Sequence, residues 1–334
     1  MSSWIIITAL AAGFLLSLLL APWILPWLRR LKFSQSILEI GPAWHKKTKQ
    51  GTPTIGGLIF IFPTLLVSIV GCFISKDIRL PLALGFAALC GVVGLADDYV
   101  KVVKKRNKGL SVLQKTLPLM LIVALYLGAL YSANIIDESI FIPYLNIRLH
   151  LYYFYFLVMI PVLFFFVNSV NLTDGLDGLV TGVTLPYLIA FIVVGYFLKS
   201  GEGNTGLTIF AAALTGGLLA FLIYNFHPAK VFMGDTGSLF LGGAVVALAL
   251  SYDMPYFIII GGIVYLLEGL SVVLQVGFYK LTHGKRIFKM TPIHHHFEMC
   301  GWSEVKIVAV FTAVSAIGSL LALWGMFYYR YFNV

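Results

Sequence analysis

The chain has 334 residues, of which 60% are hydrophobic and 11% are charged. Soluble domains carry about a quarter charged residues, so this composition excludes a water-soluble globular protein. The net charge of +9 does not indicate a nucleic-acid partner, because the basic residues lie in short loops between apolar runs. In such loops they set membrane topology and meet anionic lipids or phosphates. The three cysteines have no paired or metal-ligand spacing, which excludes a disulfide framework.

Ten apolar segments are long enough to cross a bilayer. They cover approximately residues 4–28, 55–75, 79–98, 113–132, 152–168, 178–198, 206–224, 237–252, 255–279 and 305–328. We therefore expect an all-α, polytopic integral membrane protein with ten transmembrane helices. The first run is too long for a signal-peptide core and is expected to be retained. No repeat or long polar loop divides the sequence, so residues 1–334 are expected to form a single transmembrane domain.

The basic residues predict the orientation of these helices. When the N-terminus is placed outside the cytoplasm, most of the 23 lysines and arginines fall in cytoplasmic loops, and the exceptions are Lys76, Arg79, Arg148, Lys199 and Arg330. This asymmetry follows the positive-inside rule. Because the number of spans is even, both termini are expected outside.

Five aspartates lie at the ends of predicted spans on the cytoplasmic face: Asp97, Asp98, Asp174, Asp177 and Asp235. A lone interfacial aspartate usually just ends a helix, but a carboxylate at a helix centre in the membrane costs about 2.5–3.5 kcal/mol. Five on one face therefore favour a function. We expect them to converge beside the inner leaflet, where their oxygens suit a hard cation such as magnesium that also binds substrate phosphates.

The segment L-A-D-D-Y-V-K (95–101) is predicted to be helical. Asp97 and Asp98 would then project about 100° apart, whereas Lys101 neighbours both of them. One acid can be oriented by the lysine while the other acts as a base or a metal ligand. A simple ion pair at a helix end is an equal alternative.

Two further loops carry candidate binding residues. In N-S-V-N-L-T-D-G-L-D-G-L (168–179), the glycines permit close approach of the backbone to a ligand, although the same residues can cap a helix. The loop 224–238 contains Asn225, Phe232 and Asp235. Phe232 can stack on a base or anchor the loop at the interface, and Asp235 can bind a metal ion.

The last cytoplasmic loop contains three consecutive histidines, His294, His295 and His296. Consecutive side chains diverge, so the three cannot ligate one zinc ion together. Imidazoles can instead donate hydrogen bonds to phosphate, and a polar interfacial patch is the weaker alternative. Glu268, inside the ninth predicted span, is expected to make a structural hydrogen bond.

Together these segments resemble the polyprenyl-phosphate N-acetylhexosamine-1-phosphate transferases. The resemblance rests on G-T-P-T-I-G-G (51–57), L-A-D-D-Y-V-K (95–101), G-L-S-V-L-Q-K (109–115), N-L-T-D-G-L-D-G-L (171–179), P-A-K-V-F-M-G-D-T-G-S-L (228–239) and T-P-I-H-H-H-F-E (291–298). The histidine triplet followed by Phe-Glu is similar to the phospho-N-acetylmuramoyl-pentapeptide branch of this family. The chain departs from the family pattern at Ile55, where methionine is usual, and in a stretch before Thr52 that is one residue longer.

The resemblance implies transfer of phospho-N-acetylmuramoyl-pentapeptide from its UDP derivative to undecaprenyl phosphate, with magnesium, giving lipid I and UMP. It implies a cytoplasmic cleft in a multi-pass protein of the bacterial inner membrane, surrounded by membrane lipids, and it leaves a homodimer open. The alternative is a sister transferase that uses UDP-N-acetylglucosamine. A secondary transporter is disfavoured, because transporters place such acids near the middle of the membrane.

The resemblance also implies roles for individual residues. Asp235 is the magnesium ligand, and Asp97 and Asp98 are the acids at the reaction centre. The catalytic set is completed by residues that hold phosphate: Lys101, Lys115, His294, His295 and His296. The other substrate contacts are Lys49, Thr52, Thr54, Asn171, Asp174, Gly175, Leu176, Asp177, Asn225 and Phe232.

Two points of this assignment have alternatives. Lys49 is chosen by counting back from Thr52, and Lys46 and Lys47 are its neighbours in the same stretch. Direct attack by the lipid phosphate is preferred over an acyl-phosphate enzyme, because a phosphate dianion is already an adequate nucleophile.

Overall fold

A computed structural model describes residues 3–30, 51–103, 109–198 and 204–332. Lys49, with Lys46 and Lys47, lies outside these residues. The helices within them are α1 (Ser3–Arg30), α2 (Leu58–Ser75), α3 (Arg79–Val103), α4 (Val112–Ser132), α5 (Phe154–Thr173), α6 (Leu179–Phe197), α7 (Asn204–Asn225), α8 (Gly234–Ser251), α9 (Tyr256–Ile260), α10 (Ile263–Leu281), α11 (Ile293–Glu298) and α12 (Glu304–Phe332). One hairpin pairs β1 (Ser139–Ile142) with β2 (Ile147–His150).

Within the described ranges, ten helices are long and apolar enough to cross a membrane. This confirms the predicted number of spans and a multi-pass membrane protein. Helices form because every backbone N–H and C=O must be paired inside hydrocarbon, and a helix satisfies them within one segment. The short helices α9 and α11 are the two that do not reach spanning length in this part of the chain.

Helix α8 is the centre of the bundle. In the membrane-spanning part of α8, 94% of the residues are buried. The corresponding fraction is 22% in α1 and in α4, which face lipid. Its sequence, G-D-T-G-S-L-F-L-G-G-A-V-V-A-L-A-L-S, is rich in small residues that allow neighbouring backbones to approach closely. A side chain at Gly242 would lie 2.6 Å from the Val167 carbonyl oxygen of α5. The N-terminus of α8, which carries Asp235, is therefore held tightly within the bundle.

The hairpin is a departure from the all-α prediction, which is otherwise confirmed because the protein is mostly helical. It lies between the fourth and fifth spans, and Ser139 pairs with His150 while Ile142 pairs with Ile147. Asn146 in its turn has a φ of 51°, a left-handed conformation that asparagine tolerates better than most residues. Strands of four residues give too short an alternation of apolar and polar residues to be recognised from sequence.

The predicted ninth span, 255–279, is broken in the structure into α9 and α10. The break falls at Gly261 and Gly262, two adjacent residues of low helix propensity. The amides of both glycines donate to the carbonyl oxygen of Phe257, at 2.9 Å and 3.2 Å, so the regular bonding of the helix stops there. Only α10 is long enough to span the membrane in this region.

Candidate active site

Asp97, Asp98 and Asp235 form one acidic cluster. A carboxylate oxygen of each lies within 4.8 Å of the others. The cluster exists because α3 and the start of α8 are in backbone contact one turn earlier, where a side chain at Gly94 would lie 2.1 Å from the Asp235 carbonyl oxygen. The close approach brings residues 138 positions apart into hydrogen-bond contact.

Two lysines compensate the charge of this cluster. Lys101 Nζ lies 2.6 Å from Asp97 Oδ2, 3.0 Å from Asp235 Oδ2 and 3.6 Å from Asp98 Oδ1. Lys115 Nζ lies 3.0 Å from the same oxygen of Asp235. The lysines come from α3 and α4, so the cluster also joins these two helices to α8.

Asn171 of α5 connects the cluster to a fourth helix. Its amide nitrogen donates to Asp235 Oδ1 at 3.0 Å and to Ser238 at 2.7 Å. Its amide oxygen accepts from Lys115 Nζ at 3.1 Å. Asn171 was predicted to follow the fifth span, but α5 continues to Thr173 and carries it.

The two adjacent aspartates of α3 have different surroundings, as their predicted angular separation requires. Asp97 Oδ1 accepts from the Leu110 amide at 2.8 Å. Asp98 Oδ2 accepts from both the amide and the hydroxyl of Thr236, at 2.9 Å and 2.8 Å. Asp98 Oδ1 is buried and has no hydrogen-bond partner. Asp98 is therefore fixed through one oxygen and presents the other.

The cluster could hold a metal ion. Three carboxylates with oxygens within 4.8 Å of one another can share one cation. Asp98 Oδ1 is buried and accepts no hydrogen bond, so its lone pairs are available, although Lys101 Nζ lies 3.6 Å away. Hard divalent cations prefer oxygen ligands of this kind, so the residues present fit such an ion.

The loop that contains Thr52 and Thr54 lies against the loop that contains Phe232. The Phe232 amide donates to the Pro53 carbonyl oxygen at 2.8 Å, and the Gly56 amide donates to the Phe232 carbonyl oxygen at 2.9 Å. The Gly57 amide donates to Met233 at 2.9 Å in the same way. We call these three bonds the loop bridge. It fixes residues 51–57 beside the start of α8.

Asp177 and Asn225 make contacts within the protein. Asp177 Oδ2 accepts from the Ala229 amide at 3.0 Å and lies 3.0 Å from His227 Nδ1. Asn225 accepts from the Gly178 amide at 3.1 Å and donates to the Val231 carbonyl oxygen at 2.9 Å. Both side chains thus hold the loop after α7 against the junction of α5 and α6.

The five aspartates are not all brought together. Asp177 belongs to a second group with His227 and Glu304, whose ligand atoms also lie within 4.8 Å of one another. Asp174 is the residue that ends α5, and Gly175 and the buried Leu176 follow it. Among the described residues, close contact of carboxylate oxygens is therefore seen for Asp97, Asp98 and Asp235, and the approach of Asp174 and Asp177 to the same site stays a prediction.

The three histidines point in different directions from the short helix α11, as predicted. The first, His294, is fully buried, and its Nδ1 lies 3.0 Å from Glu268 Oε2. For His295, Nδ1 lies 2.6 Å from Glu298 Oε2. His296 Nδ1 accepts from the Lys289 amide at 3.1 Å. The hydrogen bond expected of Glu268 is the one to His294.

Sequence reasoning did not identify Thr236, His227 or Glu304 as parts of the site. Thr236 directly follows Asp235, but nothing in the sequence connects it to Asp98. His227 lies in the loop 224–238, and its partner Asp177 is 50 residues earlier in the chain. Glu304 begins α12 and has no motif around it. Such pairings depend on helix packing, which local sequence does not record.

The same site lies within a recognised family region. A family model described as glycosyl transferase family 4 matches residues 80–253, which include Asp97, Asp98 and Asp235. A phospho-N-acetylmuramoyl-pentapeptide-transferase of Listeria monocytogenes is 41% identical over 325 residues, covering 97% of this chain and 98% of its own length. One from Clostridium perfringens is 47% identical over 321 residues, covering 95% of each. The chain belongs to this transferase family.

Proposed function

We propose that this chain transfers phospho-N-acetylmuramoyl-pentapeptide from UDP-N-acetylmuramoyl-pentapeptide to undecaprenyl phosphate, giving lipid I and UMP. This is the first membrane step of peptidoglycan synthesis. The observation that carries the proposal is the acidic cluster with its two lysines, in a chain related over nearly its full length to proteins named for that transfer. Such a cluster suits a reaction between two phosphate-bearing substrates, because phosphoryl transfer depends mainly on charge compensation and positioning.

The proposed orientation places the acidic cluster in a cleft at the cytoplasmic face of the bacterial inner membrane and both termini outside. The distribution of lysine and arginine supports it, because the segment of the sequence between Lys101 and Lys115 carries four further basic residues. A nucleotide substrate is made in the cytoplasm, whereas undecaprenyl phosphate lies in the membrane. A site at the boundary between them can bind both.

The proposed metal ion is magnesium, with Asp235 as its ligand and Asp97 and Asp98 beside it. When bound, it would supply charge compensation for the diphosphate and for the departing UMP. Lys101 and Lys115 each contact Asp235 and can hold phosphate oxygens as point charges.

Asp98 is proposed to receive a proton from the lipid phosphate or to orient it. Thr236 fixes Asp98 Oδ2 with two donors, so Oδ1 is the oxygen with free lone pairs. Asp97, held by Leu110 and Lys101, supports the lysine rather than the substrate. The lipid phosphate oxygen then forms a bond to the sugar-proximal phosphorus while the bond between that phosphorus and the UMP oxygen breaks.

The uridine end of the substrate is proposed to bind at the loop bridge. Phe232 is half-buried, and its ring can stack on the base. Thr52, Thr54 and the turn 174–177 would line the same pocket, with Lys49 contacting substrate from the preceding segment. Asp177 and Asn225 act there by holding the loops in place, as their contacts indicate.

A turnover assay with the purified full-length chain tests this proposal. Undecaprenyl phosphate is offered with UDP-N-acetylmuramoyl-pentapeptide or with UDP-N-acetylglucosamine, in magnesium or in EDTA, and UMP release is measured. We expect turnover with the muramoyl substrate in magnesium, and none in EDTA. The variant Asp235→Asn should lose the response to magnesium.

Each other outcome has a definite meaning. Preference for UDP-N-acetylglucosamine would assign the chain to the sister activity and overturn the proposed substrate. Full turnover in EDTA would remove the role of the metal. UMP release in a burst without undecaprenyl phosphate would replace direct attack by a covalent intermediate.

A further inference from the structure

Glu268 and His294 form a pair of ionisable side chains inside the bundle. Glu268 lies on α10 and His294 on α11, and both side chains have no exposed surface. His294 Nδ1 lies 3.0 Å and 3.1 Å from the two carboxylate oxygens of Glu268. Burial of an unpaired carboxylate is energetically unfavourable, so the contact with His294 is maintained. This contact fixes the imidazole ring through Nδ1.

The other ring nitrogen, Nε2, faces the turn between α5 and α6. A side chain at Gly175 would lie 2.2 Å from His294 Nε2, so the ring occupies the space next to a residue without a side chain. Nε2 is buried and has no hydrogen-bond partner. Most buried polar atoms have a partner, so an unpaired nitrogen that is oriented by a carboxylate indicates a ligand contact.

This turn follows α5, the helix that carries Asn171. Gly175 lies four residues after Asn171, just beyond the end of α5 at Thr173, and Asn171 donates to Asp235 of the acidic cluster. His294 Nε2 therefore faces a turn that the proposed function assigns to the nucleotide pocket, and this turn follows the helix that contacts the acidic cluster through Asn171.

We propose that Glu268 is a positioning residue, which holds the His294 ring so that Nε2 donates a hydrogen bond to a diphosphate oxygen of the nucleotide substrate. This inference rests on the proposed function. The proposed contact requires the imidazolium form of the ring, in which Nδ1–H donates to Glu268 and Nε2–H donates to the phosphate. The geometry resembles the use of a carboxylate to orient a histidine in other active sites.

The test compares the binding of UDP with that of uridine by the purified full-length chain. Replacement of Glu268 by glutamine keeps the size of the side chain and removes its charge. We expect Glu268→Gln to weaken UDP binding roughly ten- to hundredfold, the loss of one charge-assisted hydrogen bond, and to leave uridine binding unchanged. The double variant Glu268→Gln with His294→Ala should bind UDP no more weakly than His294→Ala alone.

A structural role for Glu268 gives a different pattern. Equal weakening of UDP and uridine, or losses that multiply in the double variant, would overturn the proposal, as would unchanged UDP binding in Glu268→Gln. Tyr187→Phe is the control, because it removes another buried hydrogen bond, to the Val245 carbonyl oxygen, away from the site. It should leave the affinity for both ligands as it is.

A second route avoids dependence on the folding of Glu268→Gln. In Gly175→Ala the added methyl group collides with Nε2 and must displace the ring. This variant should weaken UDP binding when His294 is present. In the His294→Ala background it should cause no further loss of affinity for UDP. A loss in both backgrounds would contradict the proposed role of the ring. The binding of UDP and uridine is measured without turnover. These results therefore test the role of Glu268 even if the turnover assay rejects the proposed substrate.

Discussion

Asp97 and Asp98 are neighbours in the chain, yet they are held by different donors. Asp98 is fixed by Thr236 through one oxygen, and its other oxygen is buried without a partner. Asp97 bonds the Leu110 amide and lies close to Lys101. This difference assigns the two acids to different tasks. The proposed role of Asp98 can therefore be tested by replacing a single carboxylate oxygen.

The variant Asp98→Asn should fold and lose activity. The amide oxygen can still accept from Thr236, but the amide nitrogen then replaces the carboxylate oxygen that would accept a proton. We expect kcat to fall roughly 10²–10⁴-fold, the usual contribution of a general base. Asp137→Asn is a matched control, because Asp137, just before β1, lies 3.0 Å from Arg148 of β2, away from the cluster. Near wild-type kcat in Asp98→Asn would reject its role as a base.

At this scale, the sequence predicted which residue types matter but not which atoms they use. The clustering of Asp235 with Asp97 and Asp98 follows from their common position at span ends on one face. The contacts of Asp177 do not, because no motif in the sequence pairs it with the His227 ring or the Ala229 amide. Those pairings are set by how α6 packs against α7, and a single sequence contains no direct record of it.

Among the helices, the contact between α3 and α8 decides the shape of the site. It is made through residues without side chains, because a Cβ at Gly94 would lie 2.1 Å from the backbone of Asp235 and one at Gly243 would lie 2.8 Å from Ala87. Close backbone contact of this kind is common between membrane helices. It brings the acids of α3 beside the first turn of α8.

The variant Gly94→Ala should separate these helices and damage both stability and activity. The methyl group meets backbone atoms that have no rotamer to change, so we expect a loss of about 1–3 kcal/mol in unfolding free energy, with reduced turnover. Gly85→Ala in the same helix is the matched control, because nothing lies within 4 Å of its added Cβ. Thermal unfolding of the two variants in detergent makes the comparison. An equal effect at both positions would mean that helix propensity, rather than contact with α8, is being measured.

Hydropathy located the long helices because lipid imposes a minimum length on any spanning segment. It did not locate the hairpin or the break at Gly261 and Gly262. The hairpin is outside the spans, and the break lies inside an apolar run whose hydropathy does not change across it. Both features depend on local backbone bonding rather than on apolar composition.

For the molecule as a whole, orientation in the membrane is the proposal with the widest consequences. All the residues of the proposed reaction depend on the cluster facing the cytoplasm. The basic residues predicted that orientation from sequence, because they resist transfer across the membrane. What the sequence could not show is which helix is central, since α8 is less apolar than several helices that face lipid.

Labelling of cysteines with a membrane-impermeant maleimide tests the orientation. Cys300 is exposed beyond α11, whereas Cys90 is buried and Cys72 is half-buried in α2. We expect Cys300 to react in inside-out vesicles and to be protected in right-side-out vesicles. Leu145→Cys in a Cys300→Ser background places a thiol at the hairpin turn, where Leu145 is 65% exposed, and should show the opposite pattern. Reversal of both patterns would invert the proposed topology.

The loop bridge joins two segments that lie far apart in the sequence. Its three backbone bonds connect residues 51–57 to Phe232 and Met233, which come immediately before the first turn of α8. A small molecule that separated these two segments would move Asp235 without entering the nucleotide pocket. An antibiotic that acted in this way would not need to imitate a nucleoside, and competition from cellular UDP-sugars would not weaken it.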